Sequence, residues 1–105
     1  MKYHHMGIPT KEVQENETYL ETLKLFCTDH AANPYGLQWM RYETDCPLPE
    51  IVKTFPHLAF VVEDLDKAIK DKNVIIEPNS PSQGVVVAFI LEEGVPIEFM
   101  EYRDK

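Results

Sequence analysis

Four side chains in this sequence have the types and spacing to converge on one divalent cation: His5, Gln38, His57 and Glu98. Two imidazoles, one carboxylate and one amide oxygen suit Zn, Ni, Co or Mn, and further positions stay open to water or a substrate oxygen. An internal repeat groups them. His5-Met6-Gly7-Ile8 pairs with His57-Leu58-Ala59-Phe60, a histidine opening an apolar run each time. Leu37-Gln38-Trp39-Met40-Arg41-Tyr42 pairs with Ile97-Glu98-Phe99-Met100-Glu101-Tyr102 at its aliphatic, Gln/Glu, aromatic, Met and Tyr positions, and the mismatch is Arg41 against Glu101. Both halves run in the same order, a His strand and then a Gln/Glu strand. The separations are 33 residues (5 to 38) and 41 residues (57 to 98), so the first half has an element shortened or missing.

Side chains at i, i+2 and i+4 of a strand share a face. Gln38, Met40 and Tyr42 therefore face one way, and Glu98, Met100 and Tyr102 face the matching way in the other half. Related by pseudo-symmetry, the two faces oppose each other across a cleft with His5 and His57 beside them. Glu98 lies between Ile97 and Phe99, and a carboxylate there must be paired or exposed, because burying it alone is costly. Met40, Tyr42, Met100 and Tyr102 are candidates to line a substrate pocket, with ordinary packing as their plainer role. Arg41 has the fork geometry to hold an anionic substrate group, with a surface charge as its plainer role. His4 is expected to point away from His5, to the opposite face. Cys46 has no base near it in sequence for a Cys–His nucleophile.

The elements that must position these residues follow from pattern and punctuation. Residues 3–9 form an apolar-rich stretch closed by Pro9, and 10–18 read as a polar loop. Residues 21–28 read as a strand, although Leu20, Leu23 and Phe26 also fit helical spacing. Residues 37–43 are an aromatic-rich strand, and 44–56 a proline-bearing connector with a helical turn at Glu50–Lys53. Residues 57–62 are a strand, and Asp64 is an N-cap for a helix over 65–71. Residues 74–77 are a strand, 78–84 a loop and 85–93 a strand. Glu93-Gly94 is a turn, and 95–102 the closing strand. The second half thus reads β-α-β-β-β. The expected fold is α+β, with paired βαβββ modules around a cleft. The first module covers 1–46 and is shortened, 47–56 is the connector, and 57–105 is the second module.

Composition narrows the function classes. One domain is all that 105 residues allow. Ten Lys and Arg stand against eighteen Asp and Glu, for a net charge of −8. With no dense basic patch, binding to nucleic acid or to an anionic membrane surface is not expected. No apolar run approaches a membrane span, and the N-terminus lacks a secretory apolar stretch. Two cysteines, Cys27 and Cys46, form no CxxC motif. A cytoplasmic protein with a small-molecule substrate or ligand is expected, and a homodimer is left open.

Three segments carry a resemblance to a known family. PHLAFVVEDLDKAI at 56–69, HMGI at 5–8 and IEFMEY at 97–102 resemble the vicinal oxygen chelate superfamily. That group includes glyoxalase I, methylmalonyl-CoA epimerase, extradiol dioxygenases and the bleomycin-resistance proteins. The resemblance implies two βαβββ modules forming a cleft-shaped, incomplete barrel. It implies a metal-ligand set at His5, Gln38, His57 and Glu98, and Gln at the second of these is similar to the epimerases. It also implies a metal-dependent lyase or isomerase that abstracts a proton next to a carbonyl, with Glu98 as the catalytic proton carrier. Some members bind ligands without catalysis, so the alternative is a non-enzymatic, resistance-protein-like binding module.

Overall fold

The computed structural model describes residues 1–103. Its strands are β1 (Lys2–Pro9), β2 (Thr18–Leu20), β3 (Leu25–Cys27), β4 (Leu37–Tyr42), β5 (His57–Val61), β6 (Val74–Ser82), β7 (Val85–Glu92) and β8 (Val95–Tyr102). Two short helices, α1 (Glu50–Thr54) and α2 (Leu65–Ile69), and a 3-10 turn at His30–Ala32 lie in the connections. The fold is α+β, with all eight strands in one mixed sheet curled into a half-barrel. The strand order is β2-β3-β4-β1-β5-β8-β7-β6. β1 and β5 meet antiparallel at the centre, flanked by their parallel partners β4 and β8. The His-bearing and Gln/Glu-bearing strands are thus four adjacent strands. No helix among the described residues is long and apolar enough to cross a membrane.

The convex face of the second half carries the main apolar core. Leu65 of α2 packs there against Ala88, Ile90 and Phe99, with Phe60, Val86 and Ile97 around them. The helix starts where two carboxylates take its free amides. Asp64 accepts from the Lys67 amide at 3.2 Å and Glu101 from the Leu65 amide at 2.7 Å. Among the described residues no helix separates β1 from β2, and the 10–17 loop takes that interval. Arg41 holds this loop by a two-pronged bond to Glu17, at 2.9 and 2.7 Å, and its guanidinium lies 4.1 Å from the centre of the Phe26 ring. The mismatched pair of the repeat, Arg41 and Glu101, therefore does the same task twice. Each ties the segment that follows a His strand to the outer face of the sheet.

Three sequence readings need correction. Residues 21–28 are not one strand. The chain turns at 21–24, with the Leu23 and Lys24 amides donating to the Leu20 carbonyl at 3.2 and 2.8 Å, so β2 and β3 form a hairpin. Lys24 turns at φ 56°, and its ammonium is held 2.6 Å from Asp45. Pairing with β4, which no local period encodes, selects this arrangement. Residues 78–84 are not a loop either, because β6 runs on to Ser82. Pro78 and Pro81 are tolerated because β6 is an edge strand, and its pairing with β7 is broken by register shifts. The helix after Asp64 also ends at Ile69, two residues earlier than expected, and Asp71 follows in the left-handed region at φ 63°.

The Arg41–Glu17 clamp predicts an acid-sensitive first half. The Arg41 bond and the Gln14 amide lower the Glu17 carboxyl from 4.5 to about 2. A depressed carboxyl stabilises the fold above its unfolded value, and that contribution is lost as pH falls from about 4.5 towards 2. Urea midpoints at pH 7, 4 and 2.5 should therefore fall more steeply for the parent than for Glu17→Gln. Equal pH slopes would remove the clamp from the stability of this half.

Candidate metal centre

Strand register brings the candidate ligands together in two rows. Across the centre of the sheet, Gly7 of β1 lies between Gln38 and His57. Next to it, Ala59 of β5 lies between His5 and Glu98. Adjacent strands are about 4.8 Å apart, so the outer members of a row start about 10 Å apart. Their side chains can meet only above a small central residue. Gly7 meets that need most sharply: a Cβ there would stand 2.1 Å from His57 Cε1 and 2.7 Å from both ring nitrogens.

The result is a buried cluster on the concave face. His57, His5 and Glu98 are 2, 6 and 8 % exposed. Glu98 Oε1 lies 3.2 Å from His57 Nε2 and 3.4 Å from His5 Nε2. One ligand atom from each of the three residues falls within 4.8 Å of the other two. Donors about 2.0–2.1 Å from one tetrahedral ion are separated by roughly 3.3 Å. The two contacts match that spacing and sit at the long end for N–H···O hydrogen bonds. Burial by itself would raise the Glu98 carboxyl, but the hydrogen bonds and charges of the two imidazoles outweigh it and hold Glu98 well below the usual carboxylate range. Glu98 is therefore an anionic donor at neutral pH. His57 Nδ1 is buried and has no hydrogen-bond partner among the described residues. Two imidazole nitrogens and one carboxylate oxygen facing one point, with a single formal negative charge, fit a small divalent cation.

The other expected site residues fall differently. Gln38 lines the same chamber, and its amide nitrogen donates to the Thr28 carbonyl at 3.0 Å, leaving its oxygen as the group open to a ligand. Met40 and Tyr42 also line the chamber. Met100 packs with Ala59, Val85 and Val87 in the concave-side core and does not line it. Tyr102 is half-exposed at the end of β8, outside the chamber. Arg41 points to the outer face, committed to Glu17, and is not available to a substrate anion.

Sequence reasoning missed two neighbours of the cluster, His4 and His30. His4 does not point away from His5, because β1 bulges between Tyr3 and His5. A bulge leaves one residue unpaired and breaks the alternation of faces. His4 Nδ1 lies 2.8 Å from His5 Nδ1, and one of the two carries the shared proton. The far nitrogen of His4 is 3.1 Å from the Tyr102 hydroxyl, and its ring centre is 4.3 Å from that of His30. Burial first, then the charges of His30 and His5, lower the pKa of His4 against the opposing pull of Glu98. His4 thus fixes the outer nitrogen of His5 while the inner one faces Glu98, as second partners of metal-bound histidines do. All four histidines of the chain belong to this cluster. The HH pair is visible in the sequence, but the bulge that brings both rings to one side is not.

Beside the cluster the concave face forms an open-sided chamber of about 180 Å³. Both edges of the half-barrel reach it, through Leu20 and Leu23 from the β2–β3 hairpin and Ile76 and Pro81 from β6. Val52 of α1 closes on it as well. Cys27 is on the wall with its thiol pKa pushed up by burial, which leaves it an inert apolar group rather than a nucleophile. The chain matches no protein-family model and no curated protein.

Proposed function

We propose that this protein is a metal-dependent lyase or isomerase of the glyoxalase or epimerase type, acting by proton abstraction next to a carbonyl. In this reading it is a vicinal oxygen chelate protein of two βαβββ-type modules, the first without its helix. The observation that carries the proposal is the convergence of His5, His57 and Glu98, from three adjacent strands, on one buried point beside a ligand-sized chamber. A divalent ion held there supplies Lewis acidity to a carbonyl oxygen. His5 and His57 orient the donor set, and Gln38 offers its amide oxygen beside them. Both imidazoles face Oε1 of Glu98, so Oε2 is the carboxylate atom left to take a proton from the ligand. That carboxylate is a weak base, so the reaction needs a carbon acid already acidified by its carbonyl.

The apolar wall of the chamber favours a second reading, a module that binds a small molecule without turning it over. Titration calorimetry with Zn, Ni, Co and Mn separates the two. One ion per chain at micromolar affinity or better is expected. No binding at millimolar concentration would remove the metal-enzyme reading and leave the binding module.

A further inference from the structure

The chamber gathers its open polar atoms in one patch. The two rows across the sheet set the His5–His57–Glu98 group beside the free amide oxygen of Gln38. The other polar side chains on the wall offer a ligand little. Asn79 stands on the exposed rim of β6 and gives its amide nitrogen to the Glu77 carbonyl at 2.9 Å. The Tyr42 hydroxyl is closed off even from water, and the Cys27 thiol is held neutral by burial. A ligand hydroxyl lying away from the histidines would therefore give up water and gain no partner, which is costly.

Around that patch the wall is hydrocarbon. Leu25, Val52, Val87 and Phe89 line it and are buried, and they come from four separate elements of the chain. The opening is apolar too. Leu20, Leu23 and Ile76 are half-buried there and Pro81 is exposed, and covering such surface is favourable in proportion to its area. The volume of about 180 Å³ sets the size of what fits. An engineered cavity of ~150 Å³ holds benzene, a six-carbon molecule, so this chamber has room for a tail of about five to seven carbons.

We propose that the site takes an amphiphilic carbonyl compound, whose oxygens face the His5–His57–Glu98 group and whose plain hydrocarbon tail of about five to seven carbons fills the chamber. This rests on the metal-centre reading of the proposed function, and it names the substrate class. Leu25, Val52 and Val87 then determine specificity by accepting the tail. A polyol of the same carbon count is rejected, because its hydroxyls would go unpaired.

The test titrates zinc-loaded protein with straight-chain hydroxamic acids, whose two oxygens chelate divalent ions, carrying tails of one, three, five, seven and nine carbons. Affinity should rise about two- to fourfold per carbon from one to five and stop rising by nine. Gluconohydroxamate has five tail carbons, each bearing a hydroxyl, and should bind at least about tenfold more weakly than the five-carbon hydrocarbon tail. In methyl-labelled protein the bound five-carbon tail should show cross-relaxation to the methyls of Leu25, Val52 and Val87. No gain from one carbon to five, a gain undiminished through nine, gluconohydroxamate binding as tightly as its hydrocarbon match, or cross-relaxation confined to methyls of the outer face would each overturn the proposal. Acetamide and hexanamide, titrated into chelator-treated protein, carry the same tails without the chelating head. Zinc binding with a flat hydroxamate series would overturn this proposal alone. Failure to bind zinc would overturn the proposed function and the placing of the ligand oxygens with it, and a preference for hexanamide over acetamide of about tenfold or more would then still show the tail chamber.

Discussion

Gly7→Ala is expected to remove divalent-metal binding and to lower stability together. The added Cβ would lie 2.1 Å from Cε1 of the His57 ring, with that ring 2 % exposed and flanked by Phe89 at a centroid distance of 5.0 Å. The ring cannot retreat along its own plane, so it must rotate away from Glu98 or push β1 from β5. Overpacking of this kind costs about 1–3 kcal/mol. At roughly 4–8 °C per kcal/mol for a domain near this size, the melting temperature should fall by about 4 to 24 °C. Metal affinity should fall by roughly a hundredfold or more, since one of three donors leaves the site. Ala59→Gly, at the centre of the neighbouring row, adds no atom and should keep metal binding. Calorimetric melting and zinc titration of both variants check this. A folded Gly7→Ala protein with parental zinc affinity would exclude His57 as a ligand.

The second large effect separates the two carboxylate-or-amide positions. Glu98→Gln removes the one anionic donor facing both imidazoles, and metal affinity should fall by on the order of a hundredfold. Gln38→Glu should act in opposite directions on stability and affinity. The Gln38 amide now donates to the Thr28 carbonyl at 3.0 Å, and a carboxylate there would face that oxygen with no proton to offer. The metal-free variant should lose about 1–3 kcal/mol. Zinc should bind it about tenfold more tightly than the parent, because a second anionic oxygen joins the donor set. Isothermal titration and urea unfolding, with and without zinc, read both quantities. If Gln38→Glu loses stability and gains no affinity, Gln38 lines the chamber without touching the ion.

Much of this architecture was legible in local chemistry. Strand alternation assigned Gln38, Met40 and Tyr42 to one face, and that face is the chamber wall. Asp64 signalled a helix start, and its carboxylate caps α2. Glu93-Gly94 signalled a hairpin, and both residues take the positive φ such a turn needs, 51° and 82°. The repeat singles out His5, Gln38, His57 and Glu98, and the first, third and fourth form the buried group. Each of these signals depends on a residue and its near neighbours in the chain, where backbone sterics and side-chain period act directly.

Other features depend on which strands pair and in what register, and no local period encodes that. Alternation predicted His4 and His5 on opposite faces. Pairing of β1 with β5 inserts a bulge at His4 and turns both imidazoles to one side. Gly7 and Ala59 read as ordinary small residues of apolar strands. Only the register across four strands makes them the floor beneath His5, His57 and Glu98. Met100 and Tyr102 share the face of Glu98, yet curvature of the sheet sends one into the core and the other to the rim. Arg41 had the chemistry to hold an anion, and the 10–17 loop supplied that anion as Glu17. Local sequence thus specified the donor types and their faces. Long-range pairing and sheet curvature decided which of them share one buried point, because side chains two strands apart meet only where the strands between them leave room.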